Sequence, residues 1–191
     1  DVVVVEDARR MSAAFEGNAA SASVRAKQKR QLARAYGKGC RLHFVRVETC
    51  PLADLDALLS EADIVHIEGG QTYHLKDVLA RRPKHRALLR RALRTKGGVG
   101  HSAGAILVGA FNTAGIKEEL GDLPRWKERV GSTWDVADET TLGMLRLAEC
   151  GVLPHLDSPG VRDKVDKYSP SRPQTCMYAL PNKGWVELEA I

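Results

Sequence analysis

Aromatic residues are scarce in this chain: Phe, Trp and Tyr together make up 5% of 191 residues. Single-stranded nucleic acids are held by bases stacking on aromatic rings between cations, so a stacking surface of that kind is not expected. Long apolar runs are missing too. Runs such as Val2 to Val5 fall far short of the roughly 20 residues a membrane-spanning helix requires, and membrane insertion is not expected. The four cysteines, Cys40, Cys50, Cys150 and Cys176, show no C-x-x-C spacing, which removes the common zinc and redox patterns. Their pairing cannot be read from the sequence, and free thiols in a reducing, intracellular compartment are the default expectation, the cytoplasm first. Neither a signal peptide nor an initiator methionine precedes Asp1. An upstream segment is therefore expected to be absent or processed away, and an organelle is the alternative location if a targeting segment has been removed.

What is present suits one soluble α/β domain spanning residues 1–191, with 43% hydrophobic and 28% charged residues. Charge is unevenly spread over a net +5: residues 1–96 carry 19 Lys and Arg against 11 Asp and Glu, whereas residues 97–191 carry 10 against 13. The basic stretches fall at Arg25 to Arg34 and at Arg81 to Arg94. Such faces suit nucleic acid, an acidic partner or a solvated helix surface, and the solvated surface is the expected reading because no aromatic residues interleave with the charges.

Strand and helix patterns alternate along the chain. Val2–Val5 reads as a strand buried on both faces, the mark of a parallel sheet covered by helices. A helix is expected from Ala22 to Tyr36, ended by Gly37 and Gly39, then a strand over Leu42–Val47. Leu52, Leu55, Leu58 and Leu59 recur at helical spacing after Pro51. Ile64–Ile67 reads as a third strand, with helices following at Thr72–Arg81 and around Leu88 to Leu93. Residues 112–148 read as an irregular insertion or long loop. Thr175–Leu180 and Trp185–Glu189 flank a turn at Pro181 to Gly184, a β-hairpin signal. This order predicts right-handed crossovers and ligands bound beyond the carboxyl ends of the strands.

Two glycine corners then fall where the chemistry of such a sheet is done. Gly98-Val99-Gly100-His101-Ser102-Ala103-Gly104-Ala105 carries the G-x-S-x-G pattern of a nucleophile elbow, a strand-to-helix turn that exposes a hydroxyl at the head of a helix. Upstream, Ile64 to Ile67 runs through Glu68 into Gly69-Gly70-Gln71-Thr72-Tyr73-His74-Leu75. The first corner would present Ser102 as nucleophile. The N–H groups of Gly70 and Ala103 would then hold an oxyanion. The bland alternatives are a serine capping its own helix and a plain helix-entry glycine. His155, in Gly151-Val152-Leu153-Pro154-His155-Leu156-Asp157, is the sole histidine after the elbow and hence the sole general-base candidate from that side; otherwise it is a loop histidine. His101 reads as packing or pocket wall and His74 as a helix-surface residue. Asp157, two residues past His155, is a candidate to orient the imidazole.

Gly69-Gly70-Gln71-Thr72-Tyr73-His74-Leu75, Gly100-His101-Ser102-Ala103-Gly104-Ala105 and Leu153-Pro154-His155 resemble, in this order, the GGxTxxL, GxSAGA and NPHF patterns of peptidase E, the aspartyl dipeptidase family related to cyanophycinase. The resemblance runs from about Leu42 to the C-terminus and is weakest between Gly115 and Ala148. It implies a Ser–His hydrolase without metal or organic cofactor, on a flavodoxin-like sheet resembling that of class I glutamine amidotransferases. Its implied substrates are short peptides with an acidic N-terminal residue. Where the family carries its triad acid, this chain departs. One family position falls near Lys117, with Glu118 beside it, and the late G-L-P-E-G segment reads Ala179-Leu180-Pro181-Asn182, an amide in place of the carboxylate. Asn182, Glu118 and Asp157 are thus the candidate orienting residues. The alternative to an active peptidase is a catalytically silent member serving as an interaction or assembly subunit, with a homo-oligomer or an acidic partner. An α/β-hydrolase esterase fits less well, because the chain continues only modestly past His155.

Overall fold

The computed structural model describes residues 1–7, 19–110, 113, 144–168 and 176–188. Its main sheet has four parallel strands, β1 (Val2–Val5), β2 (Leu42–Val45), β3 (Ile64–Ile67) and β4 (Gly97–Gly100), in the order β2-β1-β3-β4. The four valines of β1 are at most 1% exposed. Burial from both sides explains why the run is unbroken rather than alternating, and each such valine contributes about 1.5 kcal/mol relative to exposure. Between the strands run α1 (Ala19–Tyr36), α2 (Leu52–Glu61), α3 (Thr72–Arg81) and α4 (Pro83–Thr95). Pro83 occupies the first turn of α4, where a missing N–H costs nothing. Leu55 and Leu59 of α2 and Leu89 and Leu93 of α4 turn into the core, and these two helices pack on one another.

β4 leads through a single turn into α5 (Ala103–Val108), and a separate pair of parallel strands follows, β5 (Gly151–Leu153) and β6 (Met177–Ala179), with α6 (Val161–Tyr168) between them in sequence. α5 packs against β4, α3 and β5 and so joins the two sheets. The expected α/β architecture with a parallel central sheet is therefore present. No helix among the described residues is long and apolar enough to cross a membrane.

Three expectations need correction. The C-terminal hairpin does not form among the described residues. The turn is there, with Gly184 N–H donating to Pro181 O at 2.9 Å, but residues 184–188 carry no strand pairing and β6 pairs in parallel with β5. Leu180, the last residue before the turn, gives its N–H to Leu153 O and its C=O to the Leu156 N–H, so neither group is left to start a ladder with the second arm. The thiols are not all free: Cys150 and Cys176 form a disulfide, while Cys40 and Cys50 remain free. The two half-cystines immediately precede β5 and β6, so the parallel register that matches Gly151 with Met177 brings them together. His74 is buried at 5% exposure rather than lying on a helix surface, because nearly all of the first turn of α3 is covered. The irregular segment expected at 112–148 falls mostly outside the described residues.

Cys150 and Cys176 are separated by 26 positions, and closing a loop of that size restricts the unfolded chain by an amount worth about 3 kcal/mol. Urea denaturation of the Cys150→Ser/Cys176→Ser variant should show a loss of this order relative to the oxidised protein. The reduced wild-type protein should match the variant.

Candidate functional site

Ser102 stands between β4 and α5 with φ 51° and ψ −106°, a left-handed backbone that costs a non-glycine residue on the order of 1–3 kcal/mol. Two contacts hold it there. The His101 N–H donates to Ile67 O at 2.9 Å, and the Gly104 N–H to His101 O at 2.9 Å. A Cβ on Gly104 would overlap the Ile67 carbonyl, so only glycine allows α5 to start this close to β3. The other glycine corner abuts the same point: a Cβ at Gly69 would stand 2.8 Å from Ser102 Cβ. Gly70 follows with φ 148°, outside the range of ordinary side chains. Neither the Gly70 nor the Ala103 N–H has an acceptor among the described residues, so both donors remain available at the head of α5.

His155 comes to this point from the end of β5, itself left-handed at φ 65°. Its Nε2 is 2.8 Å from Ser102 Oγ. On the other side of the ring, Nδ1 is 2.8 Å from Oδ1 of Asn182. An amide oxygen accepts, so Nδ1 carries the proton and Nε2 turns a lone pair toward the serine hydroxyl. The residues predicted separately at 102, 155 and 182 thus form one hydrogen-bonded line, Ser–His–Asn. Asp157 does not face the imidazole. Its carboxylate accepts the Asn182 backbone N–H at 3.1 Å, because a side chain two positions along a turn diverges from its neighbour. Asp157 therefore anchors the loop that carries the amide. Glu118 lies outside the described residues.

Sequence reasoning missed the groups behind the glycine corner. Glu68 is 2% exposed, with its carboxylate 3.3 Å from the Gly69 N–H and 3.6 Å from His101 Nδ1. His101, whose side chain is 64% exposed, forms the pocket wall as expected, held by this buried anion. Tyr36 OH is 2.6 Å from His66 Nδ1. Burial first, then the negative charges of Glu68 and Cys40, push the Tyr36 phenol up to about 12, so it stays protonated and donates to His66. Asp7 receives N–H donors from Val47 and Glu48. Burial raises its pKa more than those bonds lower it. The signal for Glu68 was its place directly between β3 and the glycines, where a side chain can only turn inward.

Ser102, His155 and Asn182 line one cavity of about 690 Å³, bounded by β4 on one side and by Leu180 and residues 184–188 on the other. A hydroxyl in contact with an imidazole, at the head of a helix, is the arrangement that serine hydrolases of the α/β type use. The chain belongs to peptidase family S51, a family of serine peptidases whose model matches residues 11–190. Among solved structures it is similar to a provisionally named peptidase E protein from Listeria monocytogenes EGD-e, with TM-score 0.60 and 18% identity, covering 95% of this chain and 77% of that one. At that identity the likeness concerns the fold, a parallel central sheet of the peptidase E kind. The comparison with curated proteins returned no match.

The close approach at Gly104 has a measurable consequence. Gly104→Ala should destabilise the protein by at least about 2 kcal/mol, because the added methyl meets fixed backbone. Gly39→Ala, where a Cβ meets nothing within 4 Å, is the control and should change the denaturation midpoint little.

Proposed function

We propose that this protein is a serine peptidase of short peptides, with Ser102 as nucleophile, His155 as general base and acid, and Asn182 as the residue that orients the imidazole. The reading rests on one observation: Ser102 Oγ and Asn182 Oδ1 each lie 2.8 Å from opposite nitrogens of His155. That geometry favours an enzyme over a silent assembly subunit, since a line of two short contacts through residues 102, 155 and 182 does nothing for folding that a simpler packing would not. Ser102 acts here as a nucleophile elbow. As Oγ attacks the scissile carbonyl carbon, its proton passes to His155 Nε2, and the carbonyl oxygen becomes an oxyanion facing the Gly70 and Ala103 N–H groups. Collapse breaks the C–N bond, and the proton on Nε2 goes to the departing amine. Water then attacks the acyl-serine ester, giving a proton to His155. The acid leaves, and Ser102 recovers its proton.

Asn182 holds the tautomer without adding charge. A carboxylate at this place stabilises the imidazolium formed during attack, and serine proteases lose on the order of 10⁴ in kcat when it is replaced by an amide, mostly through the wrong tautomer. Here Oδ1 faces Nδ1, so only the electrostatic share of that loss applies. Asp157, bonded to the Asn182 backbone, leaves a negative charge one residue from the line. The preference for an acidic N-terminal residue rests on the resemblance of the three motifs to the aspartyl dipeptidases.

Hydrolysis of Asp-initial dipeptides is the test. Ser102→Ala and His155→Ala should each lower kcat/KM by on the order of 10⁴, with the double variant no worse than either. Unaltered rates in Ser102→Ala would remove the reading. Asn182→Asp should raise kcat at least about tenfold by supplying the missing charge, whereas Asn182→Ala should lower it.

A further inference from the structure

β4 lies at the end of the main sheet, and its outer edge carries no strand among the described residues. Its inner edge is used by β3: Gly97 N–H donates to Asp63 O and His101 N–H to Ile67 O, in a parallel register that matches Val99 with His66. Alternate residues of a strand turn their backbone groups to the same side, so Gly98 and Gly100 aim N–H and C=O outward. Neither has a hydrogen-bond partner on that side among the described residues. Gly97, Gly98 and Val99 are exposed, and three glycines in four positions leave the edge bare of side chains. Folded proteins usually blunt a free edge with lysine, proline, a bulge or a covering loop. Among the described residues β4 itself carries no lysine, proline or bulge, and its edge faces the cavity that contains Ser102 and His155, with residues 184–188 on the far wall.

Building on the peptidase reading, we propose that the outer edge of β4 is the leaving-group side of the substrate site, on which an extended oligopeptide adds as an antiparallel strand. Continuity with the nucleophile sets the occupant. β4 ends two residues before Ser102, so a peptide paired to it enters the reacting position without a bend. The direction comes from charge. Arg94 and Lys96 line the cavity beside Gly97, the end of β4 away from Ser102, and Lys96 Nζ is fixed there by donating to the Ser60 and Ala62 carbonyl oxygens, with Asp63 near it. A peptide carboxyl terminus fits that end, and the scissile bond then lies at the other. Four residues of strand at about 3.3 Å each span about 13 Å, which accommodates roughly four residues beyond the scissile bond. Gly98 and Gly100 supply the main-chain bonds that strand addition uses for affinity irrespective of sequence. Trp185, 80% exposed, lines the same cavity and can cover an apolar side chain of the added strand. A dipeptide would reach only the first of these elements.

Binding of Asp-initial peptides of two to six residues to the Ser102→Ala protein, followed by calorimetry, tests this without requiring turnover. Affinity should rise at least tenfold from dipeptide to pentapeptide and level off at six residues. Amidating the pentapeptide's carboxyl terminus should weaken it severalfold, and the same change on a dipeptide should not matter at the far end. N-methylation of alternate amides should weaken the pentapeptide at least fivefold while methylation of the intervening amides is tolerated. Length-independent binding, or equal loss at every methylated position, would overturn the docking edge. A dimer in sedimentation that the pentapeptide does not dissociate would assign the edge to a second copy and also overturn it. Wild-type dipeptide hydrolysis is read separately: if it is absent while binding keeps its length dependence, the edge stands and the reaction assigned to Ser102 falls.

Discussion

The site depends on how closely the first turn of α5 approaches the carbonyl of Ile67. That carbonyl accepts the His101 N–H and leaves no room for a side chain at Gly104. The parallel register between β3 and β4, with Ile67 opposite Gly100, delivers the chain to this point, and the left-handed backbone at Ser102 is the only way onward. Strain of this kind persists where the surroundings over-determine it. Here they do so through a rigid core: β1 is buried on both faces, and Ile67, Leu75 and Leu107 around the corner are fully enclosed.

A second pair of strands supplies the rest. His155 follows β5 and Asn182 follows β6, so their separation is governed by the β5–β6 register rather than by the main sheet. The Cys150–Cys176 disulfide closes the opposite end of the same two strands. Leu180 N–H donates to Leu153 O and Leu156 N–H to Leu180 O at the near end, continuing the ladder almost to the imidazole. The amide at position 182 therefore sits on a braced loop, with Asp157 bonded to its backbone. Precise placement of a neutral orienter preserves the tautomer. It cannot replace the Coulombic stabilisation that a carboxylate gives an imidazolium in a partly dry site.

The glycine content of β4 serves two ends at once. Gly100 lets α5 pack closely, since its Cβ would meet Ala105 backbone at 2.9 Å. The same lack of side chains leaves the outer edge open toward the cavity. A strand of valines, as in β1, would have protected the edge and pushed α5 away from β3.

Much of the architecture was legible because it is written in neighbouring residues. The valine run, the helical leucine spacing after Pro51 and the glycines around Ser102 act through local sterics and periodicity, and each element formed close to where the pattern put it. His155 could be named because no other histidine follows the elbow. α6 escaped notice because its sequence is mostly charged, and Val161 and Val165, which pack inward, are too few for a periodic signal. What faces His155 Nδ1 was open among Asn182, Asp157 and Glu118, and the Cys150–Cys176 pair could not be read at all. The expected hairpin arm failed for the same reason that these were hidden: β6 found its partner in β5, far back in the chain. By itself the sequence determined the local backbone at the two glycine corners, because sterics act between adjacent residues. Tertiary structure alone decided which groups 26 or 27 positions apart would meet, because that outcome depends on strand register and on what the packed core leaves within a hydrogen bond's reach.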